Sequence, residues 1–234
     1  MPACEYSDGT TTFEGYLAIP SRPDRRPGIL VGHAWDGPNA HFNAMADAFA
    51  SQGYVAFALD VYGKGVRGRI DGDNSHLMNP LLGDRALLRR RLLAGIDTIR
   101  AHPSVIADRV VMIGHCFGGL CALDLARASP EGLVGAIAVH APLGAPPLPS
   151  VPIKARLLVL HGWEDPVAPP SDVVEFASQV TRAGARWELR AYGHAKHAFT
   201  FAGANIPELG IAYDEFADRQ SAQAIRDFLS EVLG

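Results

Sequence analysis

The chain is poor in cysteine: of its 234 residues only Cys4, Cys116 and Cys121 carry a thiol. Three thiols cannot all pair, and no C-x-x-C spacing occurs. A disulfide framework is therefore excluded, and a reducing, cytoplasmic compartment is expected. Long apolar runs are also missing. No stretch approaches the ~18 consecutive apolar residues of a membrane span. Met1–Glu5 offers neither the basic nor the apolar region of a signal peptide, so none is expected. Lysine occurs only at Lys64, Lys154 and Lys196, and the net charge is −4, which excludes the basic footprint of a nucleic-acid binder. The nine histidines are scattered without an H-E-x-x-H pattern, so no metal site is expected. With neither a P-loop nor a G-x-G-x-x-G run, no nucleotide cofactor is expected either. Internal repeats, low-complexity tracts and linkers are absent. At 48% hydrophobic and 20% charged residues the sequence is not that of a disordered chain, and residues 1–234 read as one domain.

What is present is an alternation of short apolar runs and amphipathic stretches. Cys4–Ser7 and Thr12–Ile19 flank the turn dipeptide Asp8-Gly9 and read as an opening hairpin. Gly28–Gly32, Tyr54–Leu59, Val110–Ile113, Leu133–Val139, Arg156–Leu160 and Trp187–Tyr192 read as further strands. Helical spacing recurs over Asn39–Gln52, Asp84–His102, Phe117–Ala128, Asp172–Ala183 and Ala217–Leu233. Near-continuous apolar strands alternating with helices predict an α/β architecture: a mostly parallel twisted sheet, helices on both faces, and an antiparallel N-terminal hairpin. Val61–Pro80 breaks the rhythm. It contains Gly63, Gly65, Gly68 and Gly72, has no period, and follows the carboxyl end of a strand, where ligands bind in such sheets. It is expected to be a long loop near the pocket.

The sharpest motif is Gly114-His115-Cys116-Phe117-Gly118-Gly119, set between an apolar strand and a helix. This is the G-x-nucleophile-x-G pattern with cysteine in the nucleophile position. On so sharp a turn, side chains two residues to either side would collide with the nucleophile, and Gly114 and Gly118 remove them. The following helix offers unpaired N–H groups and the positive end of its dipole, which favour a thiolate and a developing oxyanion. Cys121 lies five residues further on the same helix and reads as core.

A nucleophile needs a base, and the base an orienting acid. On this kind of sheet their order is nucleophile, acid, histidine. Glu164 and Asp165 follow one strand, and His194 and His197 follow the last. Physical reasoning from sequence leaves both pairs open.

The chain resembles the dienelactone hydrolase family, a branch of the α/β-hydrolases, over nearly its whole length. The cysteine elbow carries the likeness, with Leu160-His161-Gly162, Asp165-Pro166, His197-Ala198-Phe199-Thr200, Ala58–Gly63 and Ala217-Asp218-Arg219. The resemblance implies that Cys116 is the nucleophile, Asp165 the acid and His197 the base. It implies backbone oxyanion donors at Trp35 and Phe117. The substrate pocket is expected to include Trp35, Asp36, Tyr62 and Phe201. Two departures stand out. The glutamate that often assists thiolate formation in the family is matched by Ala34, with Asp36 two residues further. The arginine that holds an anionic lactone in the family is matched by Phe201, four residues after His197. An aromatic ring cannot make a bidentate carboxylate contact, so neutral substrates are expected unless Arg67 or Arg69 folds over the pocket.

The resulting expectation is a metal-independent hydrolase of carboxylic esters or lactones. It would work through a Cys-His-Asp triad and an acyl-thioenzyme, favour neutral aryl or alkyl esters, and exist as a monomer or homodimer. Turnover of neutral phosphotriesters by the same triad is an alternative. A non-catalytic ligand-binding homologue is another, though it would be expected to have lost a triad member. A glutamine amidotransferase would place its acid after its histidine, opposite to Asp165 and His197.

Overall fold

The computed structural model of the protein describes residues 3–21, 24–69 and 71–234. An eight-stranded sheet forms its centre, in the order β1-β2-β4-β3-β5-β6-β7-β8. The strands are β1 (Ala3–Ser7), β2 (Thr12–Ala18), β3 (Arg26–Gly32), β4 (Val55–Ala58), β5 (Val105–His115), β6 (Leu133–Val139), β7 (Arg156–Gly162) and β8 (Trp187–Tyr192). β1 and β2 form the expected hairpin, closed by Asp8, whose Oδ1 accepts from the amides of Thr10 at 2.9 Å and Thr11 at 2.8 Å. β2 also runs antiparallel to β4, and every other pairing in this sheet is parallel.

Helices cover both faces. α1 (Ala40–Ser51) and α6 (Glu215–Leu233) lie on one face, where Phe42, Phe49, Phe228 and Leu229 pack with Ile29, Val111 and Ile137. Asn39 caps α1 by accepting from the His41 amide at 2.8 Å, which satisfies a donor that the helix itself cannot. α3 (Arg85–Ala101), α4 (Phe117–Ala128) and α5 (Pro170–Arg182) cover the other face, burying Leu92, Ile96, Leu120, Leu123 and Phe176 with Leu30 and Met112.

Two segments depart from the sequence reading. The expected loop over Val61–Pro80 gives way at Ser75 to a helix, α2 (Ser75–Gly83), with Pro80 inside it. Proline in a helix interior removes one backbone bond. Here Leu81 is buried and Leu77, Met78 and Leu82 pack on the core, and that burial outweighs the lost bond. The loop that remains is tied by Asn74, which is buried, accepts from the Arg69 amide at 2.9 Å and donates to its carbonyl at 2.8 Å. The second departure is a small ribbon, β9 (Asn205–Ile206) with β10 (Ile211–Ala212), between β8 and α6. Strands of two residues carry too little periodicity to be read from sequence.

Candidate active site

The loops at the carboxyl ends of β3, β5, β7 and β8 carry Trp35, Cys116, Asp165 and His197. They converge at one edge of the sheet, where open α/β sheets hold their ligands.

Cys116 occupies the turn between β5 and α4 with φ 54° and ψ −120°, a conformation that costs a non-glycine residue energy. Its amide donates to the Val139 carbonyl at 3.0 Å, and its carbonyl accepts from Gly119 at 3.0 Å, so bonds on both sides hold the strained turn. The glycines matter for a different reason from the one expected. A Cβ on Gly114 would lie 2.1 Å from the Gly118 carbonyl, and one on Gly118 would lie 2.4 Å from the Gly32 carbonyl oxygen. The crowding is backbone against backbone, with the two glycines facing each other and β3 behind, rather than against the cysteine side chain.

His197 follows β8 on a turn in which Ala198 has φ 58°. The β9–β10 ribbon holds it: the His197 amide donates to the Gly210 carbonyl at 2.8 Å, and its carbonyl accepts from Ala212 at 3.1 Å. Its Nδ1 bonds Asp165 Oδ2 at 2.8 Å, with the Asp165 side chain fully buried. Asp165 Oδ1 accepts from the Val167 amide at 2.8 Å, which fixes the carboxylate's orientation. Burial works against protonation of His197. The bond to Asp165 and the neighbouring Asp165 and Cys116 charges outweigh it and push the imidazole up to about 10. The competing pair lies elsewhere. His194 is 94% exposed and bonds Glu164 Oε1 at 2.9 Å, on the surface.

Trp35, Asp36, Phe201, Cys116 and His197 border one cavity of about 970 Å³. Asp36 is half-buried, accepts from Asn39 Nδ2 at 2.6 Å, and burial raises its carboxyl above the usual range. Tyr62, expected in the pocket, does not border the cavity. It is buried behind the Trp35 loop, donates its hydroxyl to the Trp35 carbonyl at 2.9 Å, and stacks on Phe117 with ring centroids 5.9 Å apart. A ring that supports two candidate amide donors at once is a positioning group for them, and its apolar face is spent on Phe117. Arg67 and Arg69 do not fold over the cavity either. Arg67 donates to the Val66 carbonyl at 2.8 Å and lies 3.8 Å from Asp60, and Arg69 pairs with Asp71. Among the described residues no cluster of His, Cys, Asp and Glu is placed to hold a metal ion.

Three histidines escaped the sequence reading, His33 and His140 buried and His115 half-buried. His33 donates from Nδ1 to the Ala34 carbonyl at 2.7 Å and accepts from the Val61 amide at 3.2 Å, and burial lowers it to about 4. His115 and His140 border the cavity. Burial pulls His115 down to about 4, and burial followed by the neighbouring His197 and His115 charges pulls His140 well below the ordinary range. The His140 ring packs edge-on against His197 with centroids 5.2 Å apart, and its Nε2 meets Thr200 Oγ1 at 2.9 Å. The signal available in sequence was its place one residue beyond the apolar run of β6, at the ligand-binding edge.

Residues 13–233 match the dienelactone hydrolase family. The chain belongs to the dienelactone hydrolase family. A solved structure named m3DLH is 35% identical with a TM-score of 0.88, covering 100% of this chain and 98% of that one. A dienelactone hydrolase-like promiscuous phosphotriesterase from metagenomic libraries is 30% identical, also with a TM-score of 0.88 and the same coverage. A probable 2-oxo-3-(5-oxofuran-2-ylidene)propanoate lactonase from Bradyrhizobium is 28% identical over 212 residues, covering 84% of each chain. The architecture is thus an α/β-hydrolase fold, and this dienelactone hydrolase family member is a carboxylic ester or lactone hydrolase. Among the described residues no helix is long and apolar enough to cross a membrane.

Proposed function

We propose that the protein hydrolyses neutral carboxylic esters through an acyl-thioenzyme on Cys116, with His197 and Asp165 completing the triad. The observation that carries this reading is the buried 2.8 Å bond from His197 Nδ1 to Asp165, beside a cysteine on a strained strand-to-helix turn. The Cys116 thiolate attacks the carbonyl carbon, and the electron pair of the C=O bond moves onto oxygen. The amides of Trp35 and Phe117 stabilise that oxyanion, each contributing ~3–4 kcal/mol to the transition state. His197 imidazolium protonates the leaving alkoxide as the adduct collapses. Once the sulfur is acylated its negative charge is gone, and with it one cause of the raised basicity of His197. The imidazole left neutral by the first step then takes a proton from water, which attacks the thioester and releases acid and thiolate. Esters suit this site better than amides because the thiolate is itself a good leaving group, and an amine must be protonated before the adduct reverts. No metal or organic cofactor enters this scheme, and a single domain in the cytoplasm suffices for it.

The substrate's charge follows from the pocket. Phe201 borders the cavity and packs edge-on against His41, with centroids 6.0 Å apart, and Arg67 and Arg69 are engaged elsewhere. A carboxylate entering beside Phe201 loses water without gaining a paired cation there. Neutral aryl or alkyl esters are therefore expected to show higher kcat/KM than matched carboxylated lactones, and Phe201→Arg is expected to narrow the difference. Assays on matched neutral and carboxylated substrates check this, and a clear preference of the wild type for the carboxylated member overturns it.

A second reading, turnover of neutral phosphotriesters at the same centre, is favoured by the 30% identical neighbour described as a promiscuous phosphotriesterase. A phosphoryl oxygen can occupy the same oxyanion site. Multiple turnovers of a neutral aryl phosphotriester support this second activity, and a single stoichiometric burst with no further release rejects it.

A further inference from the structure

The cavity is larger than the scissile ester needs. Beyond Cys116 and His197 it runs on between α1 and α6, which lie side by side on the same face of the sheet. One wall is a stripe of α1, Phe42, Met45 and Phe49, spaced at three and four residues. The other is a stripe of α6, Ala222, Ile225 and Leu229, with the same spacing. Such stripes each present one continuous helix face. The crevice reaches Gln52 and Arg226, both exposed, at its far end. From Phe42 to Gln52 the helix rises ~15 Å, so the crevice is long as well as apolar.

We propose that this crevice between α1 and α6 is a tail site for an unbranched apolar chain attached to the scissile ester. The proposal rests on the hydrolase reading of Cys116 and names the substrate class more closely. Continuity with the reacting centre selects the occupant. A chain that starts at the ester carbon beside Cys116 enters a trough with a continuous apolar stripe on each wall, beside which Asp218, Ser221, Gln52 and Arg226 also line the cavity. A charged tail would lose water along the same apolar stripes at a cost that an apolar tail does not meet. The chain can hang from the acyl carbon or from the alcohol oxygen, and both present the same methylenes to the crevice.

The test uses two substrate series on the wild-type protein: 4-nitrophenyl acetate, butanoate and octanoate for the acyl side, and butyl and octyl acetates for the alcohol side. Each methylene that enters the crevice is expected to raise kcat/KM by roughly threefold to fourfold, in one series or the other, and the series that responds identifies which side of the ester the crevice holds. Ala222→Trp and Met45→Trp fill it from opposite walls. Each is expected to leave acetate turnover within about twofold of wild type and to lower kcat/KM for the long-chain substrate by about tenfold or more. Two variants from separate helices keep the test valid if one folds poorly. Equal kcat/KM along both series in the wild type overturns the tail site. So does an equal fall of short and long substrates in both folded variants. Absence of acetate turnover in the wild type instead fails the underlying hydrolase reading, a result visible separately from chain-length discrimination.

Discussion

Cys116→Ala is expected to lower kcat for 4-nitrophenyl acetate by at least ~10³-fold, as loss of a covalent nucleophile does. The fold should survive. Cys116 is half-buried, and alanine meets the same backbone demand at φ 54° and ψ −120° as cysteine. The bonds that hold the turn are made by the backbone to Val139 and Gly119, so the substitution deletes a sulfur and little else. Cys116→Ser keeps the geometry but supplies a less nucleophilic hydroxyl, and some activity is expected to remain. Unfolding curves for each variant beside its kinetics separate chemistry from stability. Near-wild-type turnover by folded Cys116→Ala would sink the acyl-thioenzyme.

Much of this centre was legible before any coordinates. Phe117–Ala128 and Trp187–Tyr192 were readable to the residue because Gly118-Gly119 opens a helix behind an apolar strand and because Trp187–Tyr192 alternates. The strands that precede Cys116 and Asp165 stood out as apolar runs. What stayed hidden was held by tertiary contacts. α2 was masked by Pro80, and only the burial of Leu81 with its neighbours makes that segment helical. β5 starts at Val105, five residues before its apolar run, because Ile106–Arg109 spans a register irregularity against β3. The true reason for Gly114 and Gly118 is a contact between two turns and β3, residues far apart in the chain. Tyr62 was assigned to the wrong side of the Trp35 loop, since sequence places a residue on a loop but cannot say which face of it the ring supports. The β9–β10 ribbon that grips His197 has no sequence period at all.

The two histidines after β8 provide the other large effect. His197→Ala is expected to lower kcat by about 10³-fold or more, and His194→Ala to leave it within about twofold, as surface changes away from a site do. The reason is position. His194 is 94% exposed and its one partner, Glu164, is itself half in solvent, whereas His197 is locked against buried Asp165 and flanked by the β9–β10 ribbon. A pH signature separates the roles further. The imidazolium of His197 is favoured up to about 10, against an ordinary value near 6.5. A group raised in this way adds stability that is fully present below its ordinary value and is lost as pH rises through about 10. The same proton is the one delivered to the leaving alkoxide, so the alkaline fall of kcat/KM should follow it. Asp165→Asn removes the leading favourable bond to the ring, and is expected to move that alkaline limb to lower pH as well as lower the rate. His194→Ala should leave the limb where it is. If His194→Ala is the inactive variant and His197→Ala turns over, the base has been assigned to the wrong histidine and the Asp165 pair is structural.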